Sequence, residues 1–374
     1  MESLESIWMH AIFFIADERL ADLAGAAALQ MTLHWDCDFH IFIERQEPTA
    51  QIREVGSGRI TYHYEELGGF LPDGLPESSR WPRIVYLRLF APRLLSSYRR
   101  LLYLDADILS FDADAALWEV PLPHGLGAVA DLAALERGHD KKERKAWLAG
   151  IGVRSGRYAN SGVLLIDPAV WNRIDFAGML PEYFAAYPAT TFPDQDFLAH
   201  VFDGRWTELS PRYNWQGGVL HWGLTRAVAP VFVHFCGMVR PWHGAQALWL
   251  DPNDSAYSEY YDRALENTGL SVQAYRKVFR LPPLRRAKYA LLSWLSKKGI
   301  PSRREGARRA EWWSNHRFLR SYIEGGLAEA RFAGEPRTRL DLREPHPFWD
   351  GRFVRVDGDL PPGDPVRMPP AEAT

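Results

Sequence analysis

Short apolar runs alternate with amphipathic segments along the first 235 residues of the chain. Residues 11–16 are continuously apolar, and an alanine-rich helical pattern over residues 20–33 leads to a second apolar run at residues 39–43. A short, continuous apolar run is typical of a strand that is buried on both faces. This order therefore predicts a β-α-β unit, like the opening half of a nucleotide-binding domain.

The alternation continues further along the chain. Later strands are predicted at residues 60–64, 101–104, 127–130, 163–166 and 231–234. Helices are predicted at residues 84–95, 113–118 and 192–202, and a loop at residues 66–82. A Lys/Arg/Glu run at residues 141–145 predicts an exposed helix or loop, with a mobile lid as the alternative. The pattern as a whole predicts an α/β fold.

The pattern changes after about residue 255, which predicts three regions. They are a first domain at residues 1–255, a basic, aromatic, helical region at residues 256–330 and a Pro/Gly-rich tail at residues 331–374. Within the second region, residues 284–298 have a helical pattern flanked by lysine and arginine. The tail is predicted to be loosely ordered because it combines proline and glycine with charge.

Charge is distributed unevenly along the chain. The formal net charge is −3, but residues 270–320 contain 14 Lys+Arg against two acids, which makes that segment +12 and the remainder −15. A basic, amphipathic segment with tryptophan and leucine is typical of a membrane-surface helix. We therefore expect residues 275–323 to contact an anionic membrane surface. Packing of the aromatic residues on the first domain is the second interpretation, and no nucleic-acid partner is expected because no binding module is recognisable.

The composition is that of an ordinary globular protein, with 47% hydrophobic and 24% charged residues. The two cysteines, Cys37 and Cys236, are far apart, which excludes a disulfide framework and fits a reducing compartment. Acidic residues precede the first apolar run, so no signal peptide is expected. No stretch of about 18 apolar residues predicts a transmembrane helix.

Two carboxylates follow the predicted strand at residues 101–104. Asp105 and Asp107 are two residues apart, so on an extended backbone their side chains point the same way. Ligands bind at the carboxyl ends of strands in open α/β sheets, where such a pair can hold a hard cation. Two solvated aspartates in a turn are the alternative interpretation.

Further motifs follow in a fixed order. They are Asn160-Ser161-Gly162, then Asp194-Gln195-Asp196, and then a segment that begins at His234 and contains Gly237 and Arg240. With the β-α-β opening and the paired aspartates, this order resembles the family 8 glycosyltransferases across roughly residues 11–245. The resemblance implies a retaining enzyme of GT-A fold, like bacterial lipopolysaccharide galactosyltransferases and glycogenin. That fold has a Rossmann-like mixed sheet flanked by helices, here with a smaller basic helical C-terminal region.

The resemblance implies a metal site beside the donor diphosphate. Asp105 and Asp107 match the family's metal-binding pair, and His234 matches its third protein ligand, although a histidine at a strand end can also be a core residue. This donor set suits Mn²⁺, with Mg²⁺ possible. Gly237 matches a turn through which the backbone approaches the diphosphate. Arg240 stands where the family usually has lysine, and either cation can neutralise the leaving diphosphate.

The resemblance also implies a nucleotide site. Ala16 and Asp17 match the end of the family's first strand, which holds the base and ribose, and Ala106 lies between the paired aspartates. Leu20 stands where the family often has an aromatic residue that stacks on the base. Arg88 aligns with an arginine that contacts the donor, and a surface helix arginine is the alternative interpretation.

The sugar-binding positions of the family match Asn160, Ser161, Asp194 and Gln195. Asp194 is expected to accept hydrogen bonds from donor hydroxyl groups, and Gln195 to lie on the β-face of the anomeric carbon. An amide is a poor nucleophile, so front-face attack suits this sequence better than covalent double displacement. Asp131 matches a position near the acceptor, with a strand-end aspartate as the alternative.

The resemblance therefore implies an Mn²⁺-dependent transfer of galactose or glucose from a UDP-sugar to a glycan acceptor, such as a lipopolysaccharide or surface-polysaccharide precursor. The enzyme is expected at the inner face of the cytoplasmic membrane. Two alternatives remain open at this stage. One is a sugar-nucleotide-binding adaptor at the membrane surface, and the other is an enzyme that mainly hydrolyses its donor.

Overall fold

The structure is a computed structural model of the 374-residue chain. It describes residues 9–18, 20–44, 54, 58–78, 81–137, 141–220, 224, 228, 230–236, 284, 287, 291 and 303–334. These residues fall into two compact units. The first contains the described residues up to Asn214 together with residues 231–234 and 331–334, and the second contains the others.

Most strands and helices of the described residues belong to the first unit, whereas the elements within residues 215–220 and 303–328 belong to the second. The strands within the described residues are β1 (His10–Ala16), β2 (Asp38–Ile43), β3 (Ile60–Tyr64), β4 (Arg100–Leu104), β5 (Ile108–Ser110), β6 (Leu126–Ala130), β7 (Ala159–Ile166), β8 (Thr207–Glu208), β9 (Trp215–Gln216) and β10 (Phe232–His234). The α-helices are α1 (Ala21–Met31), α2 (Ala91–Leu94), α3 (Leu132–Arg137), α4 (Lys141–Gly150), α5 (Pro168–Trp171), α6 (Phe176–Ala186), α7 (Pro193–Phe202), α8 (Gly217–Leu220) and α9 (Arg303–Ala328). Short 3-10 helices lie at Gly68–Phe70, Arg83–Leu89, Ala115–Glu119 and Pro211–Tyr213.

Seven strands form one mixed sheet in the order β3-β2-β1-β4-β7-β6-β8. Strands β3, β2, β1 and β4 are parallel, whereas β7 runs antiparallel to both of its neighbours, β4 and β6. The central strands are almost fully buried, as their apolar sequences predict. The predicted α/β fold with a Rossmann-like mixed sheet flanked by helices is confirmed.

The direction of β7 decides what meets at the edge of the sheet. The carboxyl ends of β1, β4 and β6 lie at one edge, and the amino end of the antiparallel β7 lies at the same edge. Leu104 pairs with Val163, and Ala130 pairs with Ala159. Polar residues that are far apart in the sequence are therefore collected at one place. The crevice beside β1 and β4 is also where the strand order reverses, which is where open α/β sheets bind ligands.

The element predictions are mostly confirmed, with three corrections, of which the smallest is that the helix predicted at residues 113–118 is the 3-10 helix Ala115–Glu119. Strand β7 begins at Ala159 rather than at residue 163, so Asn160, Ser161 and Gly162 belong to the strand and not to a loop before it. The helix predicted at residues 84–95 is a 3-10 helix, Arg83–Leu89, followed by the short helix α2. Pro92 lacks the N–H that a continuous α-helix would need at that position, which explains the break.

The Lys/Arg/Glu run at residues 141–145 lies in helix α4, and its described side chains are exposed or half-buried, as the exposed-helix interpretation requires. The predicted turn after His234, residues 237–242, lies outside the described residues.

The C-terminal region is described only in part. Helix α9, 26 residues long, contains much of the basic, aromatic sequence. Of the segment at residues 284–298, the structure describes residues 284, 287 and 291, which are helical, and Leu284 and Leu291 are exposed. Among the described residues, no helix has the length and apolar character that crossing a membrane requires.

The chain returns to the first unit directly after α9. Ala333 forms a parallel bridge with Leu209, and Arg331 forms an ion pair with Glu208, with its Nε 3.4 Å from the carboxylate. Residues 331–334 of the predicted tail are therefore hydrogen-bonded to the sheet. Residues 335–374 lie outside the described residues.

Candidate active site

The paired aspartates and His234 converge, but the backbone at the aspartates differs from the extended one predicted. Strand β4 ends at Leu104, and the Ile108 N–H donates to the Asp105 carbonyl at 3.1 Å, which closes a turn. Strand β10 pairs with β5 so that His234 lies opposite Ile108, one residue after the Asp105–Asp107 turn. The imidazole Nε2 is 3.2 Å from Oδ1 of Asp107 and 3.6 Å from Oδ2 of Asp105. One donor atom from each of the three residues lies within 4.8 Å of the others. Two carboxylates and an imidazole are a suitable donor set for Mn²⁺, so these residues could hold such an ion.

A glycine makes the approach of the imidazole possible. A methyl group built on Gly162 would lie 2.3 Å from Cε1 and 2.7 Å from Nδ1 of His234, and 3.0 Å from Oδ2 of Asp105. The backbone of Gly162 is held in place, because its carbonyl oxygen accepts a hydrogen bond from the Asp105 N–H at 2.9 Å. The imidazole of His234 therefore packs directly against Gly162, the third residue of the Asn-Ser-Gly motif.

The other imidazole nitrogen of His234 contacts a buried amide. Nδ1 is 3.1 Å from Oδ1 of Asn214, whose Nδ2 donates to Oδ1 of Asn160 at 2.8 Å. The side chains of all three residues are buried. His234 is thus connected through hydrogen bonds to the residues at the amino end of β7.

Arg88 is buried rather than on the surface, so the alternative interpretation of a surface arginine is wrong. Its Nη1 lies 3.3 Å from Asp105 and 3.2 Å from Asp194, and its guanidinium carbon is 4.5 Å from the ring centroid of Tyr103. The Tyr103 hydroxyl donates to Asp105. One cation therefore joins the carboxylate on the metal side to the carboxylate on the predicted sugar side.

The predicted sugar-binding residues form one connected group. The Ser161 hydroxyl donates to Asp194 at 3.0 Å, and the Ser161 N–H donates to Oε1 of Gln195 at 2.9 Å. The Nε2 atom of Gln195 and the Nδ2 atom of Asn160 both donate to Oδ2 of Asp131, at 2.9 and 3.2 Å. The two ends of the Gln195 amide are thereby held in a defined orientation.

Asp131 lies at the end of β6 and also accepts from the Ala134 N–H at 2.8 Å, at the start of α3. It therefore has the helix-capping role of a strand-end aspartate in addition to its place in this group.

The last residue of the Asp-Gln-Asp motif has a structural role. Asp196 is fully buried and accepts hydrogen bonds from the Tyr158 hydroxyl and from the N–H groups of Thr191 and Phe192. Burial raises the pKa of the Asp196 carboxyl, and these three donors oppose that rise. Asp196 fixes the start of helix α7, and so positions Asp194 and Gln195 in its first turn.

The predicted nucleotide-binding residues lie at the same edge of the sheet. Ala16 ends β1 beside β4, and Oδ1 of Asp17 accepts from the Leu20 N–H at 3.0 Å. Leu20 is partly exposed, and Ala106 is buried between the two aspartates. A cavity of about 270 Å³ lies next to this point, at the carboxyl ends of β2 and β3, with Ile43 in its lining. Gly237 and Arg240 lie outside the described residues.

Two residues of the site, Asn214 and Tyr103, were not predicted from the sequence, and neither was the contact that Gly162 makes with His234. Tyr103 carried a signal, since it lies two residues before Asp105 on the same face of β4. Asn214 carried none, because it follows a 3-10 helix that no pattern in the sequence predicts.

Comparisons with known proteins agree with this geometry. The model of the family described as Glycosyl transferase family 8 matches residues 36–246, more than half of the chain. General stress protein A of Bacillus subtilis (strain 168) is 29% identical over 186 residues, which are 45% of this chain and 62% of that protein. The chain thus spans less than two thirds of that relative's length. The lipopolysaccharide 1,2-glucosyltransferase of Escherichia coli (strain K12) is 26% identical over 272 residues, 67% of this chain and 76% of that protein.

A solved structure supports the same assignment. The crystal structure of the galactosyltransferase LgtC, in complex with donor and acceptor sugar analogues, superposes with a TM-score of 0.55 and 25% sequence identity. The superposition covers 74% of this chain and 99% of LgtC. The family match, the relatives and the GT-A-like fold agree with one another. The chain belongs to glycosyl transferase family 8.

Proposed function

We propose that this protein is an Mn²⁺-dependent retaining hexosyltransferase that moves galactose or glucose from a UDP-sugar to a glycan acceptor. The observation that carries the proposal is that donor atoms of Asp105, Asp107 and His234 lie within 4.8 Å of one another. Beside them lies the buried, hydrogen-bonded pair of Ser161 and Asp194, which are the proposed sugar-binding residues. A lipopolysaccharide or surface-polysaccharide precursor is the proposed acceptor, because the relatives include a lipopolysaccharide glucosyltransferase.

The site divides into three parts in this proposal. The nucleoside half of the donor would bind at the end of β1, near Ala16 and Asp17. Ile43, which pairs with Ala16, also lines the 270 Å³ cavity. The diphosphate would lie over the Asp105–Asp107 turn, and Arg240 would add positive charge to it. When bound, Mn²⁺ would supply charge that offsets the charge developing on the leaving diphosphate.

The hexose would lie against the amino end of β7 and the first turn of α7. Asp194 would accept hydrogen bonds from the sugar hydroxyl groups, together with Asn160 and Ser161. Arg88 forms ion pairs with both Asp194 and Asp105, so it would fix the position of the sugar-binding residues relative to the diphosphate-binding residues. Holding the donor in this way lowers the entropy cost of reaching the transition state.

Front-face attack is the proposed route to retention. The Gln195 amide is neutral, and its oxygen already accepts from the Ser161 N–H, so it is a weak candidate for a covalent nucleophile. The acceptor hydroxyl would instead attack on the face that the diphosphate leaves. The leaving phosphate oxygen would take the acceptor's proton, and Asp131 would orient the acceptor. Water must be kept from this face, since it would otherwise hydrolyse the donor.

The decisive experiment is UDP release from a panel of UDP-sugars with Mn²⁺, with and without candidate acceptors. The wild type is compared with the double variant Asp105→Ala/Asp107→Ala. Metal-dependent release with one preferred sugar, lost in the double variant, supports the proposal and names the donor. UDP binding without turnover under any acceptor supports an adaptor, and release without glycoside product supports donor hydrolysis.

We also propose that residues 275–323 bind the inner face of the cytoplasmic membrane. The support is the net positive charge of this segment, the exposure of Leu284 and Leu291, and the 26-residue basic helix α9. Each basic residue near an anionic surface contributes about 1 kcal/mol. Co-sedimentation with anionic but not with neutral vesicles, weakened by salt, is the expected result. If the protein binds neither anionic nor neutral vesicles, packing of the segment on the rest of the protein is favoured instead.

A further inference from the structure

Asn214 occupies a position from which it can determine the protonated nitrogen of His234. We propose that Asn214 is a positioning residue that holds His234 in its Nδ1–H tautomer, so that the Nε2 lone pair faces Asp105 and Asp107. This inference rests on the proposed metal site. It concerns a residue with no exposed surface, and it follows from the hydrogen bonds around three buried side chains.

The orientation of the Asn160 side-chain amide is set by the backbone of Gly162. The Gly162 N–H can only donate, and its partner at 3.0 Å is the side chain of Asn160. The contacting atom of Asn160 must therefore be its oxygen, Oδ1. The opposite end of that amide is then Nδ2, and this agrees with its donation to the Asp131 carboxylate at 3.2 Å. Both ends of the Asn160 amide thus require the same orientation.

The orientation of the Asn214 side-chain amide follows from that of Asn160. Asn214 contacts Oδ1 of Asn160 at 2.8 Å, so the contacting atom of Asn214 must be its donor, Nδ2. The other end of the Asn214 amide, Oδ1, then faces Nδ1 of His234 at 3.1 Å. A carbonyl oxygen can only accept, so Nδ1 of His234 carries the hydrogen. In the neutral imidazole the Nε2 atom then has the lone pair.

This tautomer is the one that a metal ligand needs. Nε2 is the atom that lies 3.2 Å from Asp107 and 3.6 Å from Asp105. Without an ion these carboxylates favour a hydrogen on Nε2 as well, and a bound ion would replace that hydrogen, so that the Nε2 lone pair completes the donor set. Ligating histidines in proteins usually donate their other N–H to an oxygen, which fixes the ring orientation and tautomer. The Nε2–H tautomer would instead direct a hydrogen at the ion.

The arrangement is also rigid. Asn214 has no exposed surface, Asn160 is 8% exposed and His234 is 3% exposed. Gly162 contributes twice, since its N–H orients Asn160 and its missing side chain admits the imidazole. The chain of hydrogen bonds also connects His234 to Asp131 and so to the predicted sugar-binding residues.

The test uses the full-length protein and two readouts. The first is ¹⁵N NMR of histidine-labelled, metal-free wild type, with His234→Gln to identify the resonances of His234. We expect Nδ1 of His234 to carry a hydrogen, whether or not the neighbouring carboxylates also keep one on Nε2, and an Nδ1 without a hydrogen would overturn the proposal without any Asn214 variant. The second readout is Mn²⁺ affinity, measured by the electron paramagnetic resonance signal of the free ion.

Asn214→Leu has a similar volume but no acceptor. It is expected to change the tautomer and to weaken Mn²⁺ binding by about 10–100-fold, the usual effect of losing such a partner. Asn214→Asp keeps an acceptor towards Nδ1 but loses the donor to Asn160, so it is expected to keep the hydrogen on Nδ1 while lowering the stability of the protein. Asn172→Leu removes an amide hydrogen bond to the Pro92 carbonyl beyond the opposite end of β7, so it should bind Mn²⁺ like the wild type.

A folded Asn214→Leu variant with wild-type Mn²⁺ affinity, or with the Nδ1–H tautomer intact, would overturn the proposal. Failure of the metal site itself is recognised separately with Asp107→Ala. If that variant binds Mn²⁺ as the wild type does, the proposed function is wrong, whereas the tautomer in the metal-free protein still decides the role of Asn214.

Discussion

Replacing Gly162 by alanine tests whether the imidazole of His234 must lie against the backbone of β7. The added methyl group would be 2.3 Å from Cε1 of His234, whereas ordinary contact begins at about 3.4 Å. The ring must therefore move by about 1.1 Å, or the strand must move. The strand is the less free of the two, because the Gly162 backbone bonds both Asp105 and Asn160.

The expected loss of metal affinity follows from this displacement. A metal ligand must be within about 0.2 Å of its ideal distance, so a movement of about 1 Å removes His234 from the donor set. We expect the Mn²⁺ affinity of Gly162→Ala to fall by at least about 10–100-fold, or about 1.4–2.7 kcal/mol. The overpacked core should cost about 1–3 kcal/mol of unfolding free energy, which leaves a folded protein.

Mn²⁺ binding to the purified variant, measured by calorimetry beside a urea unfolding curve, checks both numbers. Gly127→Ala is the matched control, since it lies on the neighbouring strand β6 and its methyl group would meet Cδ2 of Leu122 at 2.9 Å. That control should lose some stability and keep its metal affinity. A folded Gly162→Ala protein that binds Mn²⁺ as tightly as the wild type would refute the argument, and so would an equal loss in Gly127→Ala.

Two further predictions concern buried ionisable side chains. Arg88→Met should lower the unfolding free energy by about 3–5 kcal/mol, because it leaves the buried Asp194, 3% exposed, without its cation. Urea titrations measure this loss, and a loss below about 1 kcal/mol would contradict the importance of the buried ion pair. Burial, aided by His63, lowers the pKa of His40 to about 4, and hydrogen bonds link His40 to His63 and Tyr98. The unfolded state therefore binds more protons between about pH 6.5 and 4, so His40 should remove up to about 3 kcal/mol of stability as the pH falls through this range. His40→Gln should show a correspondingly shallower pH dependence in denaturation curves, and an unchanged slope would contradict it.

Much of the fold was determined by the sequence alone. The apolar runs that became β1, β2 and β4 are short and continuously apolar, which is typical of parallel strands buried on both faces, and they are too short for an ordinary buried helix. The spacing of Asp105 and Asp107 placed two carboxylates at a strand end. The motif order also led correctly to the family, since motifs report chemistry that must be present in the chain.

Other features depended on the tertiary structure. The antiparallel direction of β7, which brings Asn160 to the same edge as Asp105, depends on pairing between distant strands and leaves no local signal.

The roles of single polar residues were also decided by the tertiary structure. Arg88 is buried because two carboxylates from different elements surround its guanidinium, which its own segment does not reveal. Asn214 faces His234 only because two distant segments meet beside β7. Sequence patterns report periodicity and residue type, which are local quantities. The orientation of a hydrogen bond or an ion pair depends on which distant groups meet, and only the folded chain determines that.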